Sequence, residues 1–500
     1  MKPSLKPRYL SKTLQLSTPR AYNILFISTG IAFACYLLVR LAAIFVVGPD
    51  PFGTVENNVI YSIQQMLQRR PLYQHPEQPP FSITQYSPIY YYIIYGLCRL
   101  TSVQAHDLIS IYTISRICSL FFNFLFCGLI GVIAVHIFNT PKKTGILFFM
   151  LGFLTLQTQA FSRPDSLYNF SVLLTVFLYL DYLKKKKGAI SYAGFALTAI
   201  TAVFSIFSKQ SGIILPMLLL GYHLFIVRSF KGTVIFGLMM AATLVFFIFI
   251  FGKPDLEVFY LNAVRGLDNS INLSLFWHHI ILAYFCSVPG FVLTTTSLYT
   301  VLLLIRSNVK TESFLAWSVL ALFSFALLTS TKDGSTPSYF AESGALALIG
   351  FYFIKDRISM PPAMLVISFL LLITALTMRP DVLIPINSKT KFQSTVYNKE
   401  YDVYRYISEN DPPANGEYVF IEMPARTSFM TGIFYDKGLF PQKDIISQKL
   451  VFDYTEFYKL KKEGKIKYVV SKQKEVKYLD ASFDEYTTEA VINGYYILKR

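Results

Sequence analysis

Residues 145–183 read GILFFMLGFLTLQTQAFSRPDSLYNFSVLLTVFLYLDYL. Two apolar runs, each close to the length of a membrane-crossing helix, are joined by a short polar insert in which Arg163, Pro164 and Asp165 stand side by side. A hydrocarbon core of ~30 Å takes ~20 apolar residues per helix, and a charge left inside it without a partner or water is costly. The stretch therefore reads as a hairpin of two spans, with the insert turning the chain at one membrane face.

The rest of the chain supports that reading. Its 500 residues are 53% hydrophobic and only 15% charged, with a mean hydropathy of +0.44. Soluble domains run near ~25% charged, so this composition belongs to a polytopic membrane protein. Residues 1–380 hold 28 Lys+Arg and 13 Asp+Glu, a net of +15, whereas residues 381–500 hold 18 and 17, a net of +1. The basic excess thus lies among the spans, where it orients helices, and calls for no nucleic acid. All five cysteines fall in apolar stretches with no CxxC pair, and they read as small buried hydrophobes. The basic N-terminus runs into an apolar stretch too long for a signal-peptide core, so it reads as an uncleaved first span.

Apolar stretches of the required length recur at 24–47, 117–138, 144–161, 166–183, 190–208, 211–228, 232–252, 279–305, 313–330, 337–354 and 361–379, eleven in all. Their connections alternate in charge. The N-terminal segment, Lys142 with Lys143, the lysines at 184–187, Arg228 with Lys231, Arg306 with Lys310, and Lys355 with Arg357 share one side, which the positive-inside rule makes cytoplasmic. Nine of the 13 carboxylates before residue 381 then fall on the opposite, outer side. Residues 88–116, apolar and Tyr-rich, add either no crossing or two, giving eleven spans or thirteen. The division is a membrane domain over 1–380 and a small outer α/β domain over 381–500, where YVFIEM and IKYVVSK read as strands and FDYTEFYKLKKEG as a helix ending at Gly464. No internal repeat of 20–50 residues is visible.

The outer side carries the chemistry. In its first loop Val59, Ile60, Ile63, Met66 and Leu67 share one helical face, so a short amphipathic helix is expected flat in the interface with Glu56 at its start. An acid there can simply complement the helix dipole, and the same holds for Asp165 behind Pro164. Arg163 is different, because capping does not require it. With Lys209 and Gln210 one hairpin later, Lys332, Asp333, Tyr339 and Glu342 further on, and Arg69, Arg70 and Arg116 nearby, the pattern is an outward-facing polar cavity holding carboxylates and cations. A lone Lys209 could equally snorkel to the interface. The tyrosines Tyr90, Tyr91, Tyr92 and Tyr95 read as an interfacial belt rather than a sugar platform, and His278 and His279 as interfacial rather than metal-bound.

Taken in order, VENNVIYSIQQMLQRRPLYQHPEQPPFSITQYSPIYYYI, SRPDSLYNF, FSKQSGIILP, SYFAES and a polar tail resemble the bacterial membrane glycosyltransferases of the GT-C superfamily. The similarity is to the family-39-like branch, relatives of protein O-mannosyltransferases and lipid A aminoarabinose transferase. It departs where many members have Gly before the PLY-like element and this chain has Gln68, Arg69 and Arg70, and where Glu replaces the commoner Asp of the first loop. The resemblance implies a polytopic helical bundle in the bacterial cytoplasmic membrane with its site on the outer side. It also implies inverting transfer of a sugar from a polyprenyl-phosphate carrier to an acceptor there. In those terms Glu56 is the base, Arg163 and Lys209 with Arg69 and Arg116 steady the leaving phosphate, and Asp165 holds hydroxyls or a divalent cation. Gln210, Tyr86, Tyr339 and Glu342 line the substrate pocket. No dedicated metal cluster is expected. The competing reading is a lipid-linked oligosaccharide flippase or other secondary transporter, which would place ionisable groups deep in repeated, broken spans. A polymerase or ligase acting on lipid-linked glycans is the nearer rival enzyme.

Overall fold

The computed structural model describes residues 10–46, 54–156, 162–185, 192–251, 255–267, 271–332, 335–357, 398–414, 416–422, 451–478 and 481–500. The expected span at 361–379 and the 380/381 domain boundary lie outside them, as does Asp333. All ten other apolar stretches are helical. They form α1 (Leu10–Val46), α4 (Leu108–Val132, continued as a π turn to Ile137), α5 (Lys142–Thr155), α6 (Asp165–Lys185), α7 (Tyr192–Ser208), α8 (Ile214–Gly221), α9 (Phe230–Phe251), α11 (Leu273–Phe285), α12 (Val288–Leu304), α13 (Lys310–Thr329) and α14 (Ala341–Arg357). Between them lie α2 (Thr54–Leu67), α3 (Ile89–Leu100) and α10 (Leu256–Ala263). Among the described residues five helices are long and apolar enough to cross a bilayer, or six if the bent pair α11 and α12 counts as one.

The structure sharpens the expected boundaries in two places, each for a local reason. Residues 279–305 are two helices bent by 87°, because the Ser287 hydroxyl caps α12 at the Gly290 N–H and a proline occupies the first turn. Of the two readings of 88–116, no crossing or two, the structure agrees with no added crossing. Asp107 caps α4 at Ser110 and starts it at Leu108, and the 12 residues of α3 reach ~18 Å at 1.5 Å each, short of the ~30 Å hydrocarbon core. Of the expected tyrosine belt, Tyr92 is exposed and Tyr95 half-buried, but Tyr90 and Tyr91 are fully buried, and the Tyr90 hydroxyl lies 2.8 Å from Ser119 Oγ and 3.0 Å from Ser115 Oγ. Cys35 and Cys286 are exposed on the bundle exterior, contrary to expectation; Cys98, Cys118 and Cys127 are buried.

Consecutive helices pack as neighbours, with α6 between α4 and α7, α7 against α9, and α12 against α13 and α14. Where α4 crosses α5, a Cβ on Gly131 would stand 2.7 Å from the Gly145 carbonyl oxygen, so the crossing depends on that glycine. Rows of exposed Ile, Leu and Phe run along α1 and α9, as on helices facing lipid tails. The bundle has two chemically distinct ends. At one, Lys184 donates to the carbonyls of His136 and Ile137, Lys185 pairs with Asp181 at 2.7 Å, and the Tyr222 hydroxyl donates to the Lys310 carbonyl. At the other meet the start of α6, the end of α7 and the start of α14.

The C-terminal part is a small α/β unit, as expected. Strands β1 (Tyr418–Glu422), β2 (Ile466–Ser471), β6 (Tyr495–Lys499) and β5 (Thr487–Ile492) form a sheet in that order, parallel only between β1 and β2, with a short hairpin of β3 (Lys477–Tyr478) and β4 (Ala481–Ser482). Helix α15 (Asn398–Asn410) precedes the sheet, and α16 (Thr455–Lys462) ends against Gly464 at φ +76°, where a Cβ would strike Arg500. Both faces of the sheet dock onto segments of the N-terminal part. Phe420, Phe457 and Leu498 share an apolar cluster with Phe81, Ile83 and Leu261, whereas Val403, Val419 and Ile497 enclose Tyr61 of α2. That covering corrects the picture of α2. Asn58, Ser62, Gln64 and Gln65 on its polar side are as buried as Val59, Ile60 and Ile63, so α2 is an enclosed helix rather than one half-exposed at an interface.

Truncating the ring that joins the two parts should loosen them. Phe457→Ala is expected to cost ~3–5 kcal/mol and to raise hydrogen exchange in β1 and β2 while α4 and α6 keep their protection. Unchanged exchange in the strands would contradict the docking.

Candidate active site

Two ion pairs meet at the start of α6. In the first, Arg116 reaches from two turns inside α4 to Glu56 on the first turn of α2. Its Nε and Nη2 donate to the two carboxylate oxygens at 2.8 Å each, with the side chains 1% and 6% exposed. Glu56 Oε1 also accepts the backbone N–H of Ser162 at 3.0 Å, and the Arg116 guanidinium lies 5.1 Å from the Tyr112 ring centroid. Burial alone would raise the Glu56 carboxyl, but Arg116 and the Ser162 N–H outweigh it and hold the group below its ordinary value, ionised at neutral pH.

The second pair lies three residues on. Lys209, at the end of α7, donates to Asp165 Oδ1 at 2.7 Å, with both side chains near one-tenth exposed. The ammonium stands 4.7 Å from the centroid of Tyr339 and 5.7 Å from that of Tyr168. Arg163 hydrogen-bonds Tyr86, and its Nε is buried with no partner among the described residues. Asp165, Lys209, Tyr168, Tyr339 and Glu342 line one small cavity of about 20 Å³, room for a water rather than a sugar. Glu342, buried on the first turn of α14, is in no ion pair among the described residues. In the amide orientation that satisfies both its polar atoms, Asn169 donates to Glu342 Oε1 at 2.6 Å and to the Asp165 carbonyl.

The polar insert of residues 162–165 is thus the junction of both pairs: Ser162 is held by Glu56, Arg163 faces Tyr86, and Asp165 holds Lys209. Of the residues expected in the site, Asp165, Lys209, Arg163, Tyr86, Tyr339 and Glu342 come together around it, with Glu56 and Arg116 directly behind Ser162. Gln210 does not line the cavity. Its amide donates to the carbonyls of Gln85 and Ala263 at 2.7 Å and pins the first loop to α10. Arg69 is left out: it is exposed beyond the far end of α2, ~20 Å along the helix from Glu56 at 1.5 Å per residue. Arg116 is committed to Glu56 rather than open to a phosphate. Tyr168 and Asn169 were not singled out from sequence, although they stand three and four residues after Asp165, on the same face of α6.

No three His, Cys, Asp or Glu side chains gather among the described residues in a way that could hold a metal ion. At Asp165 the Lys209 ammonium already occupies the position a cation would take.

No protein-family profile and no curated protein sequence matches the chain. Solved structures do. ArnT from Cupriavidus metallidurans bound to undecaprenyl phosphate is similar over 95% of this chain and 97% of its own, at 12% identity and a TM-score of 0.58; its apo state gives 14% and 0.59. The archaeal oligosaccharyltransferase AglB from Archaeoglobus fulgidus, in complex with an inhibitory peptide and a dolichol-phosphate, is similar over 90% of this chain and 69% of its own, at 14% identity and a TM-score of 0.53. The chain shares its fold with these two proteins.

Two stability results follow from the buried Glu56 pair. Arg116→Met should cost ~3–5 kcal/mol, because it strands a buried carboxylate, and Glu56→Gln combined with Arg116→Met should cost less than the two single changes added. Because the folded carboxyl lies below its unfolded value, its contribution is complete at neutral pH and is lost as pH falls through the carboxylate range. Thermal midpoints in lipid nanodiscs at pH 7 and pH 4 measure both; additive costs, or a midpoint indifferent to acid in wild type and Arg116→Met alike, would contradict the clasp.

Proposed function

We propose that this chain is an inverting membrane glycosyltransferase that moves a sugar from a polyprenyl-phosphate donor to a hydroxyl-bearing acceptor on the outer side of a bacterial cytoplasmic membrane. The observation that carries the reading is the pairing of an under-coordinated Arg163 and a lysine, Lys209, with a carboxylate, Asp165, at the end of the bundle opposite the lysine-rich one. Phosphate is the leaving group of such a transfer. Its growing charge is stabilised by fixed cations in a site that excludes water, where Coulomb terms exceed those in bulk several-fold.

The acceptor oxygen attacks the anomeric carbon from the face opposite the phosphate, the C–O bond to phosphate breaks, and the acceptor proton passes to a carboxylate. Sequence reading gave that role to Glu56. The geometry favours Asp165, which lines the cavity, whereas Arg116 and the Ser162 N–H take most of the lone pairs of Glu56. A donor phosphate competes with Asp165 for the Lys209 ammonium, so donor binding frees the carboxylate for the proton it must accept. Glu56 then acts by holding Ser162, and with it Arg163 and Asp165, in place. Tyr339 and Glu342 face the sugar. No step requires a metal in this scheme.

The test is label transfer from a radiolabelled polyprenyl-phosphate sugar by membranes that contain the chain. Asp165→Asn and Lys209→Met should each lower turnover by more than ~10²-fold with the fold intact. Glu56→Gln should lower it comparably but with a lower thermal midpoint. Wild-type rates in Asp165→Asn and Glu56→Gln would overturn the assignment, and label that crosses the bilayer while remaining on its carrier would make the chain a flippase.

A further inference from the structure

Away from the ion pairs, the first outer loop and the C-terminal unit enclose a cleft of about 640 Å³. Residues 75–79 form one wall; the start of β1, the chain before α16 and α16 itself form the other. The walls are locked together. Phe81 and Phe457 meet edge to face at 6.3 Å between centroids, and Glu77 Oε1 accepts the Asp453 N–H at 3.0 Å.

We propose that this cleft binds the glycan headgroup of the acceptor, a proposal that rests on the glycosyltransferase reading above. Its lining has the chemistry of a site for hydroxyl-rich ligands: His75, Glu77, Gln78, Asp453 and Glu456 offer planar hydrogen-bonding groups, and Tyr418 offers a ring. Among the described residues, hydrogen bonds to Glu77 and Asp453 engage one oxygen of each carboxylate and leave the second for a ligand. Charge sorts the two substrates. Among the described lining residues three carboxylates stand against one cation, Lys465, with Lys459 beside the wall offsetting Glu456 at 3.3 Å, so the cleft favours an anionic phosphate less than do Arg163 and Lys209. The same loop continues from Gln78 to Tyr86 beside Arg163. Those eight residues span at most ~28 Å when fully extended, so an elongated headgroup held in the cleft can present a distal hydroxyl toward Asp165. Binding so far from the reacting atoms is equal in ground and transition states. It therefore sets acceptor affinity and leaves turnover alone.

The experiment uses the full chain in nanodiscs, a radiolabelled polyprenyl-phosphate sugar, and a graded series of the glycolipid and polysaccharide extract of the host envelope. Glu456→Arg inverts a charge on the wall and gives up only an exposed pair with Lys459 at 3.3 Å, and Gln78→Trp fills the space from an exposed loop position; neither touches the pairs at Glu56 and Asp165. Each should raise the apparent KM for the extract by about tenfold or more, with kcat, donor KM and thermal midpoint unchanged. An acceptor KM unchanged by both substitutions, in a chain that transfers label normally, would overturn the cleft assignment and leave the enzyme reading standing. No transfer by the wild-type chain would instead overturn the enzyme reading, and this proposal with it.

Discussion

The arrangement depends on one buried contact, the two-pronged pairing of Arg116 with Glu56. An arginine two turns inside an apolar helix is tolerated only with a partner that neutralises it and satisfies its donors. Glu56 supplies the charge, and α2 is thereby drawn against α4 and sealed beneath the C-terminal unit. The remaining lone pairs of the carboxylate then fix the Ser162 N–H, and this sets where α6 begins. Arg163 and Asp165 are placed by that chain of contacts rather than by their own helix alone.

A second constraint is the partition of charge along the bundle. Lysines and arginines crowd one end, where helix C-termini offer carbonyls to Lys184. The other end holds two carboxylates, each with its own cation, plus Arg163 and Glu342. Removing water from such a group strengthens every interaction within it. Under the proposed function, a cavity too small for a sugar requires the substrate to displace an existing contact on entering, and the Lys209 to Asp165 pair is the contact whose exchange for a phosphate costs least.

Much of this was legible in the sequence, for physical reasons that also mark where it failed. Long hydrophobic runs have few alternatives to helix, so the ten described runs are helical although only five or six of the helices are long enough to cross a bilayer, and the apolar segments YVFIE and IKYVVS gave two strands of the sheet. Arg163, Asp165 and Lys209 stood out because charge beside apolar runs needs a reason. The partner of Arg116 did not, since Glu56 lies 60 residues away and no local periodicity connects them. Burial of the polar side of α2 was equally invisible, because the covering comes from Tyr468 and Ile497 at the other end of the chain. The break at Ser287 could have been found: a serine two residues before proline and three before glycine is a helix-start signal inside an apolar run.

The central claim is that the 162–165 junction receives a lipid phosphate. Its most direct test is a structure of the chain in nanodiscs with undecaprenyl phosphate. The account predicts phosphate oxygens within hydrogen-bonding distance of Arg163 and Lys209, with Lys209 drawn off Asp165 while Arg116 remains on Glu56. A phosphate bound elsewhere, with the Lys209 to Asp165 pair intact, would contradict it.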